Sequence, residues 1–263
     1  NIVSGLVKPS RGGLTFDGQD VTQQTPQQRN IAQVFQFPVI YDTMTVAENL
    51  AFPLKNRGVP GERIKQRVGK IAEMLEMSAQ LDKRAAGLAA DAKQKISLGR
   101  GLVREDVSAV LFDEPLTVID PHLKWQLRRK LKQIHAELKL TLIYVTHDQV
   151  EALTFAQQVV VMTRGRAVQI GTASELFERP RHTFVGNFIG SPGMNFLPAS
   201  LLPGAPAGAT QLGVRPEYVT LATPNAVGAV SATVTQAQDI GTYWLLTATV
   251  GDGAIVRARL NPD

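Results

Sequence analysis

The amino-acid sequence predicts an α/β fold with a parallel sheet and a helical subdomain, followed by a partial all-β domain. Strand, helix and strand patterns alternate over residues 107–146, which is the order of a parallel sheet with crossover helices. After residues 191–193 the composition shifts to Pro, Gly and Ala with short β-type runs. We therefore expect a first domain over residues 1–190 and a β domain over residues 195–263.

Residues 1 to about 38 predict part of the sheet domain, with a helix at the start and an extended segment at residues 14–16. Residues 41 to about 106 predict a helical subdomain, because apolar side chains recur there at helical spacing. Four of these side chains are Ile64, Val68, Ile71 and Leu75. Periodicity alone leaves open whether this subdomain contacts a partner or simply covers the sheet.

The second half of the first domain predicts strands at residues 110–112 and 142–146, joined by a helix that follows Pro121. An apolar stripe marks this helix, and its members are Leu123, Leu127, Leu131, Ile134 and Leu138. Asp148 and Glu151 have the spacing of a capping box for the next helix.

Further along the chain, a hairpin and a short helix are expected before the first domain ends. The strands of the hairpin are residues 159–162 and 167–170, joined across Thr-Arg-Gly-Arg. The short helix covers residues 174–178.

Two carboxylates and an imidazole stand at the ends of the predicted strands. Asp113 and Glu114 close the first apolar run, and His147 closes the second. Because neighbouring parallel strands end at the same edge of a sheet, these three side chains should converge there. Such a group suits hydrolysis of a magnesium-bound triphosphate, in which the protein positions the reactants and stabilises charge.

Each of the three residues has a predicted role in that chemistry. Asp113 would hold the magnesium ion (Mg²⁺) through its water shell, and Glu114 would orient or deprotonate the attacking water. His147 would bind the terminal phosphate and the water. The alternative is that Asp-Glu-Pro is only a turn after a strand and that His147 is a neighbour of a helix cap. The joint order and spacing of these motifs favour the catalytic interpretation.

With these motifs in place, the chain resembles the ATP-binding subunits of ABC transporters, specifically those of bacterial sugar and polyol importers. Leu-Phe-Asp-Glu-Pro resembles the Walker B strand, and Val-Thr-His-Asp resembles the segment of the switch histidine. Residues 34–36, followed by Met-Thr-Val-Ala-Glu-Asn, resemble the glutamine loop. The resemblance implies that Gln36 senses the γ-phosphate and Mg²⁺, and that residues 117–120 form a D-loop in which Asp120 contacts nucleotide.

The resemblance also implies cofactors and partners. ATP and Mg²⁺ would be the cofactors, and a second ATP-binding subunit, transmembrane permease subunits and, indirectly, an extracytoplasmic solute-binding protein would be the partners. The helical subdomain would contact the permease through the surface around residues 41–46. The segment Leu-Gly-Val-Arg-Pro-Glu resembles part of the oligonucleotide-binding-like (OB-like) regulatory domain of sugar-importer ATPases.

Two departures from the family pattern affect the nucleotide site. No G-x-x-x-x-G-K-[ST] pattern occurs in the sequence, so we expect a fragment that lacks the phosphate loop and binds ATP poorly by itself. The family signature Leu-Ser-Gly-Gly-Gln is replaced by five residues that we expect to work poorly as a nucleotide contact. These are Leu88, Ala89, Ala90, Asp91 and Ala92.

The degenerate signature leads to a hypothesis about assembly. In the family, each nucleotide lies between the phosphate loop of one subunit and the signature of the other. A chain that keeps Glu114 and His147 but has a weak signature is expected to form a heterodimer with unequal sites, and a homodimer is the alternative. The same signature, together with Asp-Pro-His-Leu-Lys-Trp, resembles subunits of bacterial glycerol importers.

Composition bounds these expectations. The chain has 263 residues, no cysteine and a formal net charge of +5, so disulfides and thiolate metal sites are excluded. Lys and Arg are spread along amphipathic helices, which favours solvated faces over a nucleic-acid partner. The remaining histidines lack ligand spacing, and we expect no transition-metal site. We expect a cytoplasmic, peripheral protein that reaches the membrane through its partners.

Three functions remain open from the sequence. The first is an ATPase that powers solute import, with ATP closing a dimer and hydrolysis reopening it. The second is a regulatory or structural subunit that does not hydrolyse ATP, which the presence of Glu114 and His147 disfavours. The third is a soluble ABC protein acting on nucleic acid or ribosomes, which the importer-like β domain disfavours.

Overall fold

The computed structural model describes residues 1–117, 119–223 and 226–261. Val118, in the predicted D-loop, lies outside the described residues. The chain forms two compact units, Asn1–Glu151 and Ala152–Asp263. The predicted domain boundary near residue 190 falls within the second of these units and stays a prediction.

The first unit contains a parallel sheet and most of the helices. Its elements in chain order are β1 (Thr15–Phe16), β2 (Gln19–Asp20), β3 (Ile31–Val34), α1 (Val46–Lys55), α2 (Gly61–Met74), α3 (Ala90–Leu102), β4 (Ala109–Asp113), α4 (Pro121–Leu138), β5 (Leu142–Val145) and the start of α5 (Gln149–Phe155).

Strands β3, β4 and β5 form the parallel sheet, with β4 in the centre. Four of the five residues of β4 are buried, as expected for a strand covered on both faces. The register pairs Asp113 with Val145, so β4 and β5 end side by side. The predicted strand–helix–strand order is confirmed, and the ends of both strands lie at one edge.

The prediction of a helix at the start of the chain is wrong, because residues 1–7 form turns. Gly5 has φ +81° and its amide donates to the carbonyl of Ile2. The guanidinium of Arg29 donates to the carbonyls of Ile2 and Val3, at 2.6 and 2.9 Å. These carbonyls would be acceptors in a helix, and a long-range side chain occupies them instead.

Residues 41–106 contain three helices, as the periodicity predicts. Leu50 of α1 and Ile71 of α2 are fully buried. Gly99 of α3 allows close packing, because a Cβ atom there would lie 2.4 Å from Cδ2 of Leu50. A Cβ atom at Gly101 would lie equally close to Cγ2 of Val34 in the sheet. Helix α3 is therefore packed tightly between α1 and β3.

The second unit contains a hairpin, two short helices and β-strands. Its elements are β6 (Val159–Thr163), β7 (Arg166–Gly171), α6 (Ala173–Glu178), α7 (Thr183–Phe188), β8 (Asn195–Pro198), β9 (Gln211–Val214), β10 (Ala232–Asp239), β11 (Trp244–Val250) and β12 (Ala254–Leu260). The predicted hairpin and short helix are confirmed. The hairpin turns through Arg164 and Gly165, which both have positive φ, as tight hairpin turns require.

Arg215 organises the centre of the second unit. This arginine belongs to the segment Leu-Gly-Val-Arg-Pro-Glu and is 2% exposed. Its guanidinium donates to the carbonyls of Phe177, Gly186 and Ile189, which lie near the ends of α6 and α7. One cation thus satisfies carbonyl groups that a helix end leaves without internal partners.

Candidate functional site

Glu114 follows the last residue of β4 in an unusual backbone conformation. Its φ is +48°, a left-handed value that costs on the order of 1–3 kcal/mol for a non-glycine residue. Its amide donates to the carbonyl of Val145 at 2.9 Å, which fixes the turn against the end of β5. Such a conformation persists when surrounding contacts determine it, and it is common at functional sites.

Three side chains meet at one carboxylate oxygen of Glu114. The amide Nε2 of Gln36 donates to Oε2 at 3.4 Å, and the hydroxyl of Thr117 donates to the same oxygen at 3.2 Å. Nδ1 of His147 lies 3.1 Å from that oxygen. The structure therefore brings together Gln36, Glu114 and His147, which the sequence predicted as site residues. It adds Thr117, which the sequence analysis placed in the D-loop without predicting its contact with Glu114.

The exposure of these groups suits a site that is open to a ligand. The side chain of His147 is 70% exposed and that of Glu114 is 28% exposed. Oε1 of Glu114 makes no hydrogen bond within the described part of the chain, so it remains available to a water molecule or a ligand.

The predicted magnesium ligands have chemistry that fits the ion. Asp113 is exposed at the end of β4, and its carboxylate has no ion-pair partner among the described residues. Gln36 donates through its amide nitrogen to Glu114, which leaves its amide oxygen as a possible metal ligand. Mg²⁺ takes oxygen ligands, and beside phosphates it usually needs only one or two protein carboxylates. Over the described ranges, no group of three or more His, Cys, Asp or Glu side chains is arranged so that it could hold a metal ion by itself.

The loop that carries His147 is fixed by a residue whose role the sequence analysis misjudged. Glu151 was expected to complete a capping box with Asp148, but its carboxylate is buried and accepts from the hydroxyls of Tyr144 and Thr146, at 3.0 and 2.9 Å. The amide of Asp148 donates to the hydroxyl of Thr146 instead. One of the two bonds of the predicted capping box is present: the backbone amide of Glu151 donates to the carboxylate of Asp148.

The contact between Tyr144 and Glu151 has a clear electrostatic consequence. Burial raises the pKa of the Tyr144 phenol above its usual range, and the nearby Glu151 carboxylate raises it further. The phenol therefore stays protonated and donates to the carboxylate. Two hydroxyl donors stabilise the buried acid, which ties the end of β5 to the start of α5 on both sides of His147.

The signature residues lie at the start of helix α3 and, among the hydrogen bonds and ion pairs of the described residues, make no side-chain contact with Glu114. Ala89 is the N-cap and makes no side-chain capping bond. Asp91 lies in the first helical turn, where an acid is favourable. No hydrogen bond or ion pair within the described residues joins Leu88, Ala89, Ala90, Asp91 or Ala92 to Glu114.

Asp120, the other predicted nucleotide contact, precedes helix α4. It is exposed, and its backbone carbonyl accepts the amide of Lys124 at 2.9 Å. This is the first-turn bond of the helix. The predicted role of Asp120 toward a nucleotide in a dimer stays a prediction.

Gln94 is a further polar residue that the sequence analysis did not select. It is fully buried in α3, and its Nε2 donates to the carbonyl of Pro115. A sequence signal was present, because helical spacing places Gln94 on the same face as Leu98 and Gly101, which are both buried. A glutamine on an apolar helix face is expected to have a buried hydrogen-bond partner.

A search of the described residues for a membrane-spanning helix gave a negative result. None of the helices combines the length and the apolar character that crossing a bilayer requires.

Comparison with known proteins identifies two regions of the chain. Residues 1–117 match the ABC transporter family model, and residues 212–263 match the TOBE domain model. The predicted ATPase-type α/β core with a β domain of OB-like type is consistent with both matches.

Curated relatives extend the likeness over most of the chain. The sn-glycerol-3-phosphate import ATP-binding protein UgpC of Paraburkholderia xenovorans is 45% identical over 74% of this chain and 54% of its own length. The protein of the same name from Yersinia pestis is 46% identical over 77% of the chain and 56% of its own length. The one from Salmonella typhimurium is 40% identical over 97% of the chain and 77% of its own length.

The first two alignments span about half the length of these relatives, and the third spans about three quarters. The matches include the segments that carry Gln36 and Glu114. On this evidence of sequence and fold, the chain belongs to the ABC transporter family of ATP-binding subunits.

Proposed function

We propose that the complete protein hydrolyses ATP to power import of a small polyol or sugar, with a phosphorylated polyol such as sn-glycerol 3-phosphate as the first candidate. The observation that supports this most directly is the meeting of Gln36, Thr117 and His147 at the Glu114 carboxylate. The names of the similar proteins support the choice of solute class.

The chemistry follows from the two oxygens of Glu114. Oε2 is held by the side chains around it, so Oε1 accepts a hydrogen bond from the attacking water and aligns it with the terminal phosphate. His147, which is largely exposed, donates to that phosphate. Asp113 and Gln36 would hold Mg²⁺, which neutralises phosphate charge when it is bound.

The proposed assembly contains two ATP-binding subunits at the cytoplasmic face of the membrane, joined to permease subunits and supplied by a solute-binding protein. Pairing with a different ATP-binding subunit, which the degenerate signature predicts, gains no support from the comparisons and stays a prediction. A regulatory subunit that does not hydrolyse ATP gains no support either, because the side chains of Gln36, Thr117 and His147 all contact the Glu114 carboxylate.

The substitution Glu114→Gln tests the catalytic role. The amide keeps the shape of the side chain but cannot take a proton from water, so turnover should fall by about 100-fold or more, as for loss of a general base. ATP binding, measured separately with a fluorescent nucleotide, should be retained. The protein should be the complete polypeptide, including any residues before Asn1, assembled with its permease in proteoliposomes.

The control for this experiment is Glu73→Gln, which changes an exposed acid on α2. Its turnover should equal that of the unmodified protein. Uptake of labelled sn-glycerol 3-phosphate, glycerol and a disaccharide in the same vesicles would identify the solute class. Undiminished ATP turnover in Glu114→Gln would contradict the catalytic assignment, and uptake of none of the three solutes would contradict the transport proposal.

A further inference from the structure

We propose that Gln94 is a positioning residue for ATP hydrolysis, which holds the backbone beside Glu114 and couples it to the helix that begins at the signature positions. The inference rests on the proposed function and deepens it. Gln94 is fully buried and donates to the carbonyl of Pro115 across 21 residues of sequence. That carbonyl belongs to the residue directly after Glu114.

The backbone at Glu114 needs support of this kind. Its positive φ is unfavourable for a residue with a side chain, and the proline that follows restricts its backbone further. The amide of Glu114 is fixed to β5 through Val145. The hydrogen bond from Gln94 fixes the carbonyl of Pro115. The turn that orients the Glu114 carboxylate is therefore held on both sides.

Helix α3, which carries Gln94, is closely packed on several sides. Ile96 and Leu98 are fully buried, and Ser97 is 4% exposed. The glycines at positions 99 and 101 bring α3 into close contact with Leu50 and Val34. Because interiors are packed at high density, a shift of α3 cannot be absorbed locally and is passed to its hydrogen-bond partners.

The amide oxygen of Gln94 indicates that the amide nitrogen explains why a glutamine occupies this position. Oε1 is buried and has no hydrogen-bond partner within the described part of the chain. A buried polar atom without a partner is unfavourable, and a methionine of similar size would pack without that cost. A glutamine that satisfies only its donor is therefore best explained by the bond to Pro115.

The geometry has a functional consequence. Helix α3 begins at Ala90, immediately after the first signature positions, and Gln94 lies one turn further on. A partner that engages the signature end displaces α3, and the Gln94 bond transmits the displacement to the turn at Glu114. The degenerate signature is thus connected to the Glu114 carboxylate of its own subunit through helix α3, Gln94 and Pro115.

The primary test is Gln94→Met in the complete protein assembled with its permease. Removal of the bond should lower kcat by about 10-fold or more, since a small misplacement of a catalytic group is costly, while KM for ATP stays unchanged. Gln66→Met is the matched control, because Gln66 is exposed on α2, and it should leave both constants unchanged. A kcat for Gln94→Met equal to that of the unmodified protein overturns the inference.

A second variant gives a readout that a packing defect alone would not produce. In Gln94→Glu, the protonated carboxyl donates to the carbonyl of Pro115, whereas the ionised form repels it. Burial raises the pKa of an introduced acid, so the ratio of variant to unmodified kcat should increase as the pH falls from 8 to 6. A ratio that is flat across this range overturns the inference even if Gln94→Met fails to fold.

The Glu114→Gln background separates this inference from the proposed function. If Gln94 acts through Glu114, adding Gln94→Met to Glu114→Gln should cause no further loss of residual turnover. A further loss equal to that in the unmodified background overturns the inference. An unmodified assembly without ATP turnover would instead contradict the proposed function, so the two failures are distinguishable.

Discussion

Glu114 receives contacts from side chains that lie far apart in the sequence, and this arrangement was partly predictable. Strand ends at residues 113 and 146 follow from apolar runs, so the meeting of Glu114 and His147 could be predicted from the sequence. The identity of the shared oxygen, Oε2, and the contribution of Thr117 could not. They depend on the left-handed turn at Glu114, which no local pattern encodes.

At the same scale, Glu151 provides a test of how His147 is held. Glu151→Ala removes the acceptor of two hydroxyl bonds, so the free energy of unfolding should fall by about 2–4 kcal/mol and ATP turnover should fall with it. Glu151→Gln should retain much of both, because the two hydroxyls donate to one oxygen and an amide oxygen can accept them. Chemical denaturation and steady-state kinetics measure these effects.

Combining Glu151→Ala with His147→Ala shows whether Glu151 acts through the histidine. The effect of Glu151→Ala on turnover should disappear when His147 is already absent. Additive losses would mean that Glu151 affects catalysis by another route.

At the scale of single elements, caps and close packing decide where helices begin. Helix α6 begins with a capping box, in which Thr172 accepts the amide of Glu175 and the carboxylate of Glu175 accepts the amide of Thr172. The sequence predicted this helix at residues 174–178, and the structure begins it one residue earlier. Cap chemistry is local, which is why this element was predictable.

Thr172→Ala should destabilise the second unit by about 1 kcal/mol, the usual effect of losing an N-cap. Urea denaturation measures the change, and Thr183→Ala, at an exposed position of α7, should have a much smaller effect. Equal effects of the two substitutions would show that the cap of α6 contributes nothing particular.

The same cap predicts a pH dependence. Hydrogen bonds from Thr172, the backbone bond first, lower the pKa of Glu175 below its ordinary value of 4.5. A lowered folded-state pKa means that this stabilisation is present above pH 4.5 and is lost as the pH falls through the folded-state value. The difference in stability between the unmodified protein and Glu175→Gln should therefore shrink on acidification from pH 7 to pH 3. A constant difference would contradict this explanation.

At the scale of the whole molecule, the predicted role of the signature residues at the start of α3 in a dimer can be tested by restoring the family pattern. Ala89→Ser, Ala90→Gly and Asp91→Gly together should raise ATP turnover of the homodimer, because they restore a hydroxyl donor and close backbone approach and remove a carboxylate near a polyanion. Ser at position 89 would also supply the missing N-cap bond, which offsets the lower helix propensity of the glycines.

Steady-state hydrolysis by the purified homodimer, with and without the three substitutions, measures this effect. The single change Ala86→Ser, at an exposed position before the signature, serves as the control. Unchanged turnover after restoration would show that the natural signature residues already suffice, and would remove the argument for a heterodimer.

The sequence by itself determined the strand–helix–strand order over residues 107–146, the hairpin and the positions of Asp113, Glu114 and His147 at strand ends. Apolar periodicity and turn chemistry act over a few residues, so a single chain displays them directly. Only the tertiary structure decided that Gln94 reaches Pro115 and that Glu151 lies buried against two hydroxyls.

The start of the chain shows the same division. The sequence predicted a helix there, whereas Arg29 takes the carbonyls of Ile2 and Val3 and holds turns in place. That outcome depends on which distant side chain can replace a local hydrogen bond. Packing in three dimensions decides such pairs, because a buried polar group is stabilised when the fold brings an acceptor or donor to it.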